Sequence, residues 1–122
     1  MENKTRLLMV DDEELLCEIM GSHFKRRGFD VFTATSGRQA IDLAKANNPQ
    51  VMLLDKRMPE MDGIETLEEI RQFNQSVKVI FITGDTLDRE TENRIKGLNV
   101  TAYMHKPLLM GDLDSAVANA VL

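Results

Sequence analysis

The sequence predicts an α/β protein with one doubly wound, five-stranded parallel sheet. Short apolar runs alternate along the whole chain with stretches of helical periodicity. The turns between them are short and built from Gly, Pro, Asn or Asp. At 122 residues the chain can bury one sizeable core, and right-handed crossovers between successive strands then place helices on both faces of a parallel sheet.

Each element has its own justification. Arg6–Val10 is an apolar strand that runs straight into Asp11, Asp12, Glu13 and Glu14. One or two acids in a first helical turn complement the helix dipole; four exceed that need. Leu15, Leu16, Ile19, Met20 and Phe24 are read as the apolar stripe of the first helix, which Gly28 stops after Lys25, Arg26 and Arg27. His23 is read as surface or boundary. Residues 29–34 alternate as a second strand, and Ser36 caps a helix that turns Ala40, Ile41, Leu43 and Ala44 inward. Asn47, Asn48 and Pro49 end it. Val51 to Leu54 form a short apolar run that closes on Asp55, the pattern of a strand buried on both faces. Pro59 and Gly63 shape the next loop before a helix carrying Ile64, Leu67 and Ile70. Residues 77–83 are a fourth strand rich in β-branched residues. The helix at about residues 88–98 is mostly polar, with Leu87, Ile95 and Leu98 its chief apolar residues, so it is expected to be loosely held. Ala102–His105 is a short fifth strand closed by Lys106 and Pro107. The last helix presents Leu113, Ala116, Val117, Ala120 and Val121 on one face.

Composition excludes several function classes. With 43% hydrophobic and 29% charged residues this is an ordinary globular sequence, and a formal net charge of −5 argues against nucleic acid as the direct ligand. No apolar run approaches the ~20 residues of a membrane span. The start from Met1 to Arg6 is polar and has no signal-peptide core, so no membrane association and a cytoplasmic location are expected. Cys17 is the only cysteine. It has no internal disulfide partner and no zinc-like cluster, which leaves packing as its role.

In a parallel sheet all strands end at one edge, and ligands bind beyond the carboxyl ends. There the first, third, fourth and fifth strands end in Asp11 and Asp12, Asp55, Thr83 and Lys106. Three carboxylates on one crevice repel unless a hard cation sits among them, and an all-oxygen set suits Mg²⁺. A hydroxyl and an ammonium opposite them can hold phosphoryl oxygens, which makes this a site for phosphoryl transfer.

The set resembles the receiver domain of bacterial two-component response regulators along essentially the whole chain. The matching residues are Asp11 and Asp12, Asp55 followed by Met58-Pro59 and Asp62-Gly63, Thr83, Tyr103, and Lys106-Pro107. That resemblance implies a flavodoxin-like strand order 2-1-3-4-5, with helices one and five on one face and two to four on the other. It implies that Asp55 is the phosphoacceptor and that Asp12, Asp55 and the backbone carbonyl of Arg57 hold Mg²⁺, with Asp11 orienting its waters. Thr83 and Lys106 would contact phosphoryl oxygens, Lys106-Pro107 would be cis, and Tyr103 would turn inward on phosphorylation. It further implies a phosphohistidine donor on a sensor histidine kinase or phosphotransfer protein. The output would pass through the face of helix 4, strand 5 and helix 5 to an effector domain or target, or to a second copy.

Residues 1–122 are expected to be this single domain with no output domain, either standing alone or as part of a longer protein. A turnover enzyme is not expected, only a switch that slowly loses its own phosphoryl group. The alternatives are an aspartate-nucleophile phosphohydrolase, which needs a second acid where Arg57 stands, and a flavodoxin-like nucleotide binder, which needs a hydroxyl- and glycine-rich first loop where four acids stand. Arg57 and Asp85 lie two residues beyond Asp55 and Thr83. Two readings stand: they pair across the mouth of the site and tune dephosphorylation, or each is solvated independently. His105 is read as an exposed strand residue and Lys56 as a solvated loop charge.

Overall fold

The computed structural model describes residues 4–84 and 86–122. The chain alternates as β1 (Arg6–Val10), α1 (Glu14–Arg26), β2 (Asp30–Ala34), α2 (Gly37–Asn47), β3 (Val51–Asp55), α3 (Gly63–Arg71), β4 (Lys78–Thr83), α4 (Arg89–Lys96), β5 (Ala102–His105) and α5 (Met110–Ala120). The five strands are all parallel in the order β2-β1-β3-β4-β5. The expected α/β doubly wound sheet is therefore present.

Burial follows position in the sheet. Central β3 is buried at every residue, and β1 and β4 at every residue but the first. Edge strand β5 alternates between half-buried and exposed. Two cores flank the sheet. Phe81, Leu54 and Leu8 pack with Ala40, Ile41, Leu67, Ile70 and Ile95 of α2, α3 and α4. On the other face Ile80, Ile82 and Leu53 pack with Cys17, Met20, Phe24, Leu113 and Val117 of α1 and α5. Side chains that point alternately to the two faces of a strand produce this division.

Caps set the helix starts. The Ser36 hydroxyl accepts from the Gln39 amide at 3.1 Å, and the Asp88 carboxylate accepts from the Thr91 amide at 2.7 Å. Asp62 and Glu65 form a reciprocal capping box on α3. The fourth helix is shorter than residues 88–98, because Asp88 serves as its cap and Gly97 closes it.

The first helix corrects the sequence reading. Leu15 and Ile19 are 68% and 54% exposed, whereas the buried residues are Cys17, Met20, Gly21 and Phe24. At about 100° per residue Leu15 and Ile19 point nearly opposite to Cys17 and Phe24. The stripe seen in sequence thus mixed two faces. Gly21 completes the buried side, where a Cβ would meet the side chains of Thr33 and Val31. Val121, expected on the inner face of α5, is the C-cap residue and is exposed.

His23, read as surface or boundary, is half-buried at the boundary and also ties two helices together. Its Nε2 lies 2.7 Å from Asp114 Oδ1 on α5, and Arg27 Nη2 lies 3.0 Å from Asp114 Oδ2. Cys17 is buried, as packing requires. Its S–H lies 3.3 Å from the Asp11 carbonyl and 3.6 Å from that of Ala34, and burial pushes the thiol up to about 11.

Candidate functional site

The chemistry-bearing residues sit where β1, β3, β4 and β5 end. Asp55 is the last residue of β3 and Thr83 the last of β4; Asp11 follows β1 and Lys106 follows β5. The sheet register carries across the gap, since the Lys56 amide donates to Ile82 O at 2.8 Å and the Lys106 amide to Thr83 O at 2.9 Å. Asp11, Asp55 and Thr83 are buried, and Asp12 is exposed.

Lys106 Nζ stands 3.4 Å from both Asp11 Oδ2 and Asp55 Oδ1. Carboxylate oxygens of Asp11, Asp12 and Asp55 lie within 4.8 Å of one another. Asp11 is held by accepting from the Glu13 amide at 2.9 Å through Oδ1. Its amide donates to Ala34 O at 3.1 Å.

Electrostatics follow from this crowding. Burial, then the Asp11 charge, push the Asp55 carboxyl up to about 6 against the pull of Lys106. Burial disfavours the Lys106 ammonium, but Asp55 and Asp11 outweigh it and raise its pKa. One ammonium therefore does not neutralise three acids. A donor set of clustered carboxylate oxygens, one of them solvent-facing, fits a hard divalent cation such as Mg²⁺.

The loop after β3 folds back tightly on the site. The Gly63 amide donates to Lys56 O at 2.8 Å, and a Cβ on Gly63 would lie only 2.3 Å from Asp55 O. Glycine at this position lets α3 begin directly against the end of β3. Asp12, Lys56, Arg57, Met58, Pro59 and Asp62 line an open cleft of about 480 Å³ beside Asp55. The Arg57 side chain is exposed and that of Lys56 half-buried. The Lys106–Pro107 peptide is cis, as the resemblance implied.

Tyr103 stands apart from the acidic cluster. It is 46% exposed, and burial followed by the charge of Glu92 raises its phenol. It lines, with Thr83 and His105, a separate cavity under α4. His105 is exposed, as expected. Asp85 lies outside the described residues, and with it both readings of its relation to Arg57. Sequence reasoning passed over the cavity, although the two-residue period of β5 puts Tyr103 and His105 on one face.

The model of the response regulator receiver domain matches residues 7–118. The chain belongs to that family. This receiver domain is 36% identical over 118 residues to the regulatory protein AtoC of Escherichia coli, covering 95% of the chain and 25% of the relative. It is 31% identical over 114 residues to the alkaline phosphatase synthesis transcriptional regulatory protein PhoP of Bacillus subtilis, covering 92% of the chain and 46% of the relative. The chain thus spans between a quarter and a half of the length of these relatives.

Among solved structures it resembles the chemotaxis protein CheY4 of Vibrio cholerae with a TM-score of 0.87 at 24% identity, covering 97% of the chain and 99% of the other. A CheY-like receiver domain protein of Methanospirillum hungatei gives a TM-score of 0.89 at 23% identity, covering 96% and 93%. These two likenesses carry the fold. A receiver domain is a phosphorylatable signalling switch and not a turnover enzyme, so the phosphohydrolase and nucleotide-binder readings are not favoured. No helix among the described residues is long and apolar enough to cross a membrane.

Proposed function

We propose that Asp55 is the phosphoacceptor and that the donor is a phosphohistidine on a sensor histidine kinase or phosphotransfer protein. The observation that carries this reading is the Lys106 ammonium set 3.4 Å from both Asp55 and Asp11 at the converging strand ends. An Asp55 oxygen attacks phosphorus while the phosphorus–nitrogen bond breaks and its electrons return to the donor imidazole. Lys106 and the Thr83 hydroxyl receive the oxygens of the transferring group. Asp11, Asp12, Asp55 and the carbonyl of Arg57 would hold Mg²⁺, which when bound offsets negative charge around the phosphoryl group.

The product is an acyl phosphate that water slowly cleaves, and Arg57 and Asp85, two residues beyond Asp55 and Thr83 in the sequence, tune that lifetime. Thr83 and Tyr103 relay the state to the face of α4, β5 and α5, where an effector domain, a target protein or a second copy reads it. The domain works in the cytoplasm, without direct contact to nucleic acid or membrane, and residues 1–122 form one folding unit.

Acetyl phosphate with Mg²⁺ should add one phosphoryl group, read by intact mass, and Asp55→Asn should add none. Chelation of the metal should abolish the labelling of the wild type. Full labelling of the asparagine variant would overturn the assignment of Asp55.

A further inference from the structure

Between β5 and α4 lies a cavity of about 560 Å³ lined by Thr83, Leu87, Glu92, Lys96, Tyr103 and His105. Its floor follows from the register of the last two strands, which sets Phe81 beside Tyr103 and Thr83 beside His105. Phe81 belongs to the core under α2 to α4, whereas Ile80 and Ile82 belong to the opposite core. The two-residue period therefore turns Tyr103 and His105 to the same side as Thr83, beneath α4. That helix buries a single residue, Ile95, so the space under it is not filled from above.

The volume falls within the ~300–1,000 Å³ typical of small-molecule sites. Leu87 and the Tyr103 ring offer apolar walls. Lys96 carries a charge with no ion pair among the described residues, and the His105 imidazole and the Thr83 hydroxyl add hydrogen-bonding groups. The one acid on the lining, Glu92, acts on the Tyr103 phenol. An apolar slot with an ammonium and an imidazole on its wall suits a ring bearing an anionic oxygen group.

We propose that this cavity binds a small aromatic carboxylate, with its ring against Leu87 and Tyr103 and its carboxylate on Lys96 and His105. Occupancy opposes phosphorylation, because Thr83 forms part of the cavity wall and also ends β4 beside Asp55. A ligand that engages the Thr83 hydroxyl from the cavity withholds it from the phosphoryl oxygens. By linkage the phosphorylated state weakens the ligand by the same factor. This coupling rests on the reading of Asp55 as acceptor; the site itself does not.

The test is a nitrogen-15 amide titration of the unphosphorylated protein with 1-naphthoate. Saturable shifts are expected at Thr83, Leu87, Tyr103 and His105. Lys96→Met, at an exposed position that leaves folding intact, should weaken binding by about tenfold or more. 1-Naphthylmethylamine should bind at least about tenfold more weakly than the acid. Absence of saturable shifts, an unaltered affinity in Lys96→Met, or equal binding of the amine overturns the site. Adding Mg²⁺ and beryllofluoride should lower naphthoate affinity by about fivefold or more, and an unchanged affinity overturns the coupling. Failure of Asp55 as acceptor would appear separately, as labelling of Asp55→Asn by acetyl phosphate, with naphthoate binding to the unphosphorylated protein unaffected.

Discussion

Asp55 carries a tension between stability and chemistry. It is 3% exposed, and its carboxyl is raised from 3.8 to about 6, first by burial and then by Asp11. A group raised in the folded state is more easily kept protonated there than in the unfolded chain. Its ionisation therefore costs no stability below pH 3.8, costs progressively more as pH climbs, and costs the full amount above pH 6. Two units correspond to about 3 kcal/mol. In metal-free protein Asp55→Asn should thus raise the melting temperature at pH 7 by several degrees, and the gain should shrink as pH is lowered toward 4. Mg²⁺ should narrow the gap by stabilising the wild type more than the variant. Calorimetry across that pH range checks the expectation, and equal melting temperatures at pH 7 in chelator would refute it.

Among the helices, α4 has the least anchorage. Ile95 is its one buried residue, and the Arg94–Glu68 contact at 2.7 Å joins side chains that are 44% and 41% exposed. A pair so exposed is worth only ~0–1 kcal/mol. The firmer restraint lies just beyond the helix, where Arg71 at the end of α3 donates to Leu98 O at 2.8 Å and Asn99 O at 3.2 Å. The same guanidinium donates to Asn74 O at 3.2 Å. Arg71→Met keeps the apolar stem and removes all three bonds, so urea melts should show a loss of about 2 kcal/mol or more. Arg94→Ala should lose less than about 1 kcal/mol. Similar losses in the two variants would deny Arg71 that role. The looseness of α4 was legible in its polar composition, but the clamp was not, because bonds from a side chain to distant backbone carbonyls leave no trace in local pattern. The phase of α1 was likewise ambiguous: Leu15 and Ile19 are spaced as a stripe, and only the packing shows which of two stripes turns inward.

Across the whole molecule, parallel topology explains why so much of the site could be read in advance. Lys106 and Asp11 are 95 positions apart, yet both follow strands that run the same way and so meet at one edge. The strand ends could therefore be placed together before any distance was known. The cavity under α4 could not, since it depends on what a short polar helix fails to fill. Cys17 ties the same architecture to a different kind of chemistry. Its sulfur sits between the carbonyls of Asp11 and Ala34, 3% exposed and with the thiol pushed up to about 11. At neutral pH almost no thiolate forms, and the sulfur stays shielded from solvent while α1 stays docked. An alkylating reagent such as iodoacetamide should modify the native protein only as fast as the chain opens, and adding urea should speed modification in step with unfolding. Rapid alkylation without denaturant would contradict this. The only thiol in the chain thus serves as a built-in clock for unfolding, one that stays silent in air-equilibrated solution for as long as the fold is intact.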